Sequence, residues 1–494
     1  MRRRLVRQSA LLALLVALAQ PCAGLLKTFG SPTTTSWPSA EICLEDGKGR
    51  LSPEVVILNH TLSAEQPSLG VMNQFFVVTQ SDLVLAEMGA RIEVRYAFDG
   101  EAEPSVRFDP AMASGQGWAA AELGGRWMDT HRTAGHQGVF DAGGKMGKGS
   151  SIAGWWNKHP MPFSRSVLVT AALVPRPAET KPRRALEPGF VEDNRPPPPG
   201  CATVDIIVRG YEDTSPTAGL TLASGVTLPR GARLKLYRHE AARVEPYEFI
   251  TLANVSAGTE GLLYLTSIAL ETGPPYGQNS NETWSNGASK PFRATNNYIE
   301  GCWHMTRSHS EKLPGLTLGT GFEDYFDTTF GFSLVGPDPR DPSQGNFSNE
   351  IQRTCNGTVN PVGHYDGVCE SQGVLFQHSE SGLLHFSSDT SDEFAIDPLL
   401  LVNSSTGQQI SRGGDGACVG KGPCPLRGVE RISAYRFLDR EVISFEDGGT
   451  VQWRNSDFEP KCYALTTPGK EIQNVSPVLV RSYAWVYEWP KQEE

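Results

Sequence analysis

The chain lacks, beyond its first two dozen residues, any apolar run of the roughly 18 residues that a membrane-spanning helix needs. It lacks a basic excess: 55 acidic side chains against 44 Lys and Arg give a formal charge of -11. That balance argues against nucleic acid or an anionic membrane as the main partner. Long runs of period 3.6 are scarce, and no repeat of solenoid or propeller length is present, which sets aside helical bundles and arrays. There is no G-x-S-x-G elbow, and Gly319, Thr320 and Gly321 are not followed by the lysine or helix signal of a phosphate loop. His364, His378 and His385 lack the close spacing of a zinc site, so neither metal nor cofactor is expected.

What is present begins with a leader. In MRRRLVRQSALLALLVALAQPCAG, Arg2, Arg3, Arg4 and Arg7 precede a short apolar run that ends in small residues, the pattern of a secretory signal peptide over residues 1–24. Its loss takes the formal charge from -11 to -15, and Cys22 leaves with it, so eight of nine cysteines remain. An even number suits an oxidising compartment. Their pairing stays open, although Cys355 with Cys369 and Cys418 with Cys424 would close short loops. Seven Asn-x-Ser/Thr sequons, at Asn59, Asn254, Asn281, Asn346, Asn356, Asn403 and Asn474, point to exposed segments in a glycosylating pathway. The expected address is extracellular or the secretory lumen, with no membrane span.

The apolar pattern has period two. In RIEVRYAF (91–98), Ile92, Val94, Tyr96 and Phe98 share one face and Arg91, Glu93 and Arg95 the other, as in a half-buried strand. SVLVT (166–170), TVDIIV (203–208), GLLYLTSIAL (261–270), TVQWRN (450–455) and VLVRSYAWVY (478–487) read as further strands. With 51 Gly and 35 Pro as punctuation, the composition predicts an all-β sandwich or jelly roll. The Pro-rich stretch 175–200 cannot sit inside a sheet; composition alone makes it a linker or a long hairpin loop.

The chemistry left by elimination is that of carboxylates among aromatics. Cleaving a glycosidic bond takes one carboxyl group to protonate the leaving oxygen and a second to attack the anomeric carbon or activate water. NNYIEGCWHM (296–305) places Glu300 between Tyr298 and Trp303, and GTGFEDYF (319–326) places Glu323 between Phe322 and Tyr325. A Pro-Gly turn signal in the connecting SEKLPGL lets the two stretches lie on neighbouring antiparallel strands. Alternation sends Glu323 and Asp324 to opposite faces, so Glu323 is the catalytic choice and Asp324 an anchor of the substrate-binding group. Trp303, Tyr325, Trp155 and Trp156 are candidate sugar-binding aromatics, Asp99 reads as a turn former, and Arg436 as a structural partner of a buried carboxylate.

These motifs resemble the double jelly-roll furanosidases of glycoside hydrolase family 172. GTGFEDYF is similar to the family's G-T-G-T-E-D-Y-F, with Phe322 in place of Thr. YAFDGEAEPSVRF (96–108), WWNKHPMPFSRS (155–166), SGLLHF (381–386) and SAYRFLDREVISFEDGGTVQWRN (433–455) resemble further family segments in the family's order, from about Gly70 to Asn455. The resemblance implies two β jelly-roll domains with long inserted loops: residues 25–235, with 175–200 as an insertion, and residues 236–494 carrying the catalytic glutamates. It implies a retaining hydrolase acting on α-D-fructofuranosides or α-D-arabinofuranosides, with Glu323 as nucleophile and Glu300 as acid/base, capable of transglycosylation and assembled as a trimer or hexamer. The chain departs from the family at Leu438, where a His is usual, and at Glu441 and Val442, where Asp-Pro is usual. The alternative is a non-catalytic, lectin-like carbohydrate binder on the same fold.

Overall fold

The computed structural model describes residues 26–31, 39–43, 54–63, 69–80, 90–113, 142–146, 152–175, 201–214, 219–245, 247–272, 301–313, 315–319, 325, 376–377, 381–388, 430–438, 441–455 and 478–492. The leader, residues 176–200 of the Pro-rich segment, Glu300, Glu323 and Asp324 lie outside them. Strands dominate and pair antiparallel within four main sheets, forming an all-β molecule of two jelly-roll-class sandwiches. No helix among the described residues is long and apolar enough to cross a membrane.

The first sandwich uses β1 (Leu26–Gly30), β2 (Ser39–Cys43), β3 (Val55–Thr61), β4 (Leu69–Gln80), β5 (Ala90–Phe98), β6 (Val106–Phe108), a helical turn α1 (Pro110–Ala113), β7 (Ala142–Met146), β8 (Ile152–Asn157), β9 (Met161–Phe163), β10 (Ser166–Pro175) and β11 (Cys201–Asp213). Its larger sheet runs β1-β11-β4-β8-β7, with β2 beside β11 and β9 beside β4; its smaller sheet runs β3-β10-β5-β6. Period-two alternation turns Val77, Val204 and Val208 of one sheet towards Val94, Phe98 and Val169 of the other, all closed to solvent.

A small hairpin, β12 (Leu220–Thr221) and β13 (Thr227–Leu228), leads to the second sandwich. Its strands are β14 (Arg233–Val244), β15 (Phe249–Val255), β16 (Thr259–Thr272), β17 (Gly301–Thr306), β18 (Leu316–Gly319), β19 (Phe376–Gln377), β20 (Ser381–Ser388), β21 (Glu430–Phe437), β22 (Ser444–Phe445), β23 (Gly449–Asn455) and β24 (Val478–Pro490). One sheet runs β14-β24-β16-β21-β20-β19, with β22 beside β16, and the outer sheet runs β15-β23-β17-β18. Among the described residues, strands through β11 pair only with one another, and so do those from β14 onward. The change of sheet therefore falls between Asp213 and Arg233, and the expected boundary at residue 235 lies inside β14.

The β14-to-β19 sheet is a junction layer apolar on both faces. Along β24, Tyr483, Trp485 and Tyr487 join the core of the first sandwich, while Val478, Val480, Ala484 and Val486 face the outer sheet. In β16 a register shift between Leu263 and Leu265 resets the alternation, so Tyr264 and Leu265, adjacent in sequence, both face the first sandwich. The Tyr487 hydroxyl donates to the Pro160 carbonyl at 2.7 Å, and the His159 ring packs 4.9 Å from the Trp485 ring.

Between the sandwiches lies an ion network that corrects the half-buried reading of β5. Its Arg91 and Glu93 are 7 % and 2 % exposed, so the charged face is covered at these two positions, while Arg95 is half-buried. Glu93 accepts from Arg95 at 2.7 Å, from Arg107 at 3.0 Å and from Arg238 of β14 at 2.7 Å. Arg238 also reaches Glu240 at 3.0 Å, Glu240 pairs with Arg91, and Arg481 of β24 pairs with Asp109 at 3.0 Å. Burial works against the ionised Glu93, but the arginines outweigh it and hold the carboxyl down at about 2.

Candidate functional site

The two stretches singled out for their glutamates meet in the outer sheet. β17 and β18 pair antiparallel, with Trp303 opposite Gly319, and β17 pairs on its other side with β23, with Trp303 opposite Trp453. The turn between β17 and β18 closes through the Gly315 N–H, which donates to the Lys312 carbonyl at 2.9 Å. Gly315 sits at φ 56°, in the left-handed region that glycine adopts without a Cβ penalty.

Trp303 and Tyr325 stack face to face, with ring centroids 4.5 Å apart and planes 4° from parallel. Gly319 makes room for this: a Cβ there would lie 2.6 Å from the Tyr325 Cβ, closer than such atoms pack. Gly301, the residue after Glu300, is likewise pressed against the Trp453 indole, which a Cβ would strike. Gly301, first residue of β17, and Gly319, last of β18, are thus sites of close approach.

The junction sheet holds Tyr325 from the other side. Its hydroxyl is 2.8 Å from Thr266 Oγ1, its carbonyl accepts from Arg436 Nη1, and the Arg436 guanidinium lies over its ring, 5.3 Å from the centroid. Thr266 and Arg436 are direct cross-strand partners on β16 and β21, so one register position of the junction sheet grips the tyrosine. Burial pushes the phenol up to about 12, although the Thr266 bond and Arg436 pull the other way. Arg436 also bonds Glu441, a half-exposed carboxylate, at 2.8 Å.

Trp303 is 0 % and Tyr325 1 % exposed. Their faces are closed to solvent and joined to the second core, so their position is that of supports rather than of open sugar platforms. Trp155 and Trp156 sit apart from them on β8 of the first sandwich. Alternation buries Trp155 in the first core and leaves Trp156 half-buried on the opposite face, so the two do not form one platform. Asp99 is a turn former: at φ 55° its carboxylate accepts from the backbone N–H groups of Ser164 and Ser166 at 3.0 Å each, and it pairs with Arg233. Leu438, at the position where a histidine was the reference, is a core residue whose N–H donates to the Tyr264 carbonyl at 2.7 Å.

Glu300, Glu323 and Asp324 are outside the described residues, as are His364 and His378. Among the described residues no group of three or more His, Cys, Asp or Glu could hold a metal ion. Cys302 of β17 is disulfide-bonded, so the strand that follows Glu300 is tethered covalently. Sequence reasoning missed the roles of Thr266 and Arg238. The signal that could have found Arg238 is the match between Arg-x-Glu on β14 (238–240) and Arg-x-Glu-x-Arg on β5 (91–95), two charged faces of complementary order.

No family model and no curated protein matches the chain. Among solved structures, the Sputnik virophage structure at 3.5 Å by cryo-EM contains a chain that aligns over 94 % of this one and 86 % of its own length, at 9 % identity and a TM-score of 0.19. A likeness that distant carries no argument about fold or function.

Proposed function

We propose that the protein is a secreted, retaining glycoside hydrolase acting on furanosides of the α-D-fructofuranoside or α-D-arabinofuranoside class. The observation that supports this best is the Trp303–Tyr325 stack: Trp303 stands three residues after Glu300 and Tyr325 two residues after Glu323. Three extended residues span at most about 11 Å, a reach compatible with both glutamates lying in one neighbourhood. Retention requires the two carboxyl groups about 5–5.5 Å apart.

In this reading Glu323 attacks the anomeric carbon while Glu300 gives its proton to the departing oxygen. A glycosyl ester forms on Glu323. Glu300, now ionised, takes a proton from water, or from an acceptor sugar in transglycosylation, and the ester is released with the starting configuration. Sheet pairing and the buried stack supply positioning, since misplacing a reacting group by about 1 Å costs on the order of a hundredfold in rate. Asp324 anchors the Glu323 segment, Trp156 is the half-exposed aromatic left as a sugar contact, and assembly into trimers or hexamers belongs to the same proposal.

The test is hydrolysis of aryl α- and β-furanosides and pyranosides by the mature glycoprotein. One furanoside should be turned over. Glu323→Gln should abolish that activity, and Glu300→Gln should lower it about 10²–10⁴-fold while azide restores part of it on a substrate with a good leaving group. Sugar binding without turnover, unaffected by either substitution, would sink the catalytic roles and leave the lectin-like reading.

A further inference from the structure

The eight cysteines of the expected mature chain leave their pairing open in sequence; the register of one strand pair does not. Cys43 is the last residue of β2 and Cys201 the first of β11, and the ladder sets Cys201 against Cys43, Ala202 against Ile42, Thr203 against Glu41, Val204 against Ala40 and Asp205 against Ser39 without a shift. Directly opposed residues of an antiparallel pair lie on one face, with Cα atoms about 4.5 or 5.5 Å apart. A disulfide spans Cα separations of roughly 4.4–6.8 Å. The chain also carries oxidised cysteine elsewhere, at Cys302.

We propose that Cys43 and Cys201 form a disulfide that joins β2 to β11, independently of the glycosidase reading. Each thiol gives up its proton as the S–S bond forms, and the two electrons reduce the disulfide of a protein thiol oxidoreductase to a dithiol. The place of the bond explains its use. β1 and β2 flank β11 on the same side, β1 opposite residues 209–213 and β2 opposite 201–205, so together they make one interrupted edge of the larger sheet. Five residue pairs hold β2, and β11 is the only described strand that pairs with it. The bond fixes the far end of that edge where the Pro-rich segment delivers the chain into β11. It also divides the cysteines: Cys302, Cys355, Cys369, Cys418, Cys424 and Cys462 all belong to the second half, so no disulfide crosses between the sandwiches.

The experiment is a tryptic map of the full mature chain, alkylated and digested at mildly acidic pH without reduction. Residues 28–48 and 185–209 are tryptic peptides with one cysteine each and no sequon. The expected result is a single cross-linked species of the two, two hydrogens lighter than their sum, which separates on reduction. In Cys43→Ala, Cys201 should change from unlabelled to fully alkylated by iodoacetamide under denaturing conditions, and Cys201→Ala should expose Cys43 in the same way. Either peptide linked to a different cysteine, or both alkylated in the unreduced wild-type protein, overturns the proposal; the wild-type map decides even if a variant fails to fold.

Discussion

At the scale of the residue, the pair of Thr266 and Tyr325 carries the most specific prediction. Their hydroxyls meet at 2.8 Å in a buried layer, so removing either one breaks a buried hydrogen bond, at a cost of about 1–3 kcal/mol. Tyr325→Phe and Thr266→Val should each lower the urea midpoint, and the double variant should cost no more than the worse single one; additive losses in that cycle would show the hydroxyls to be uncoupled. The same residues show what sequence can and cannot carry. Glu300, Trp303, Glu323 and Tyr325 stand out because carboxylates alternate with aromatics over two short stretches. That the aromatic rings stack on each other, and that Tyr325 is gripped by Thr266 and Arg436, depends on partners 59 and 111 residues away, which no local pattern encodes.

At the scale of the element, every segment read as a strand from period-two alternation lies within one, from RIEVRYAF in β5 to VLVRSYAWVY in β24. Alternation is a local property of an extended chain, so it survives without knowledge of neighbours. What it misses is burial of the polar face, as at Glu93, and the register shift in β16, where one extra residue moves the following side chains to the other face. Two backbone positions give measurable consequences. Val442 is held at φ 54° and is 47 % exposed, so its side chain contributes little packing against a conformational cost of about 1–2 kcal/mol. Val442→Gly should therefore raise stability by about 1 kcal/mol in urea unfolding, and a loss would mean that the valine's contacts outweigh its backbone. Gly319→Ala should do the reverse: its Cβ meets Tyr325, so the β18 end must shift, lowering both the melting temperature and any furanosidase activity.

At the scale of the whole molecule, the junction between the sandwiches sets the response to acid. His159 is buried among Trp485, Tyr264 and Phe437, and burial holds its pKa down to about 3, so it stays neutral in the fold. An unfolded His takes up a proton near pH 6.5. The folded state therefore loses relative stability as pH falls from about 6.5, by about 1.4 kcal/mol per unit, until the folded pKa is passed. Glu93 has the same sign and a lower window: its contribution is complete above the ordinary glutamate range and is lost as pH falls towards about 2. Urea midpoints of wild type should decline from pH 6.5 to 4.5. His159→Gln should flatten that limb, and Glu93→Gln should reduce the slope only below about 4.5. An unchanged upper limb in His159→Gln would assign it to other groups.

The order of strands in the junction sheet also sets a clock on biosynthesis. β24, last of the described strands in chain order, lies between β14 and β16 and supplies side chains to both cores. β14 thus waits for a neighbour made roughly 245 residues later, some 10–50 s at the usual 5–20 residues per second of translation. For that interval the first sandwich has no lid over its inner end, and β14 and β16 offer unpaired edges to whatever is near. Sheet closure, and with it the joining of the two halves, therefore cannot precede the synthesis of β24.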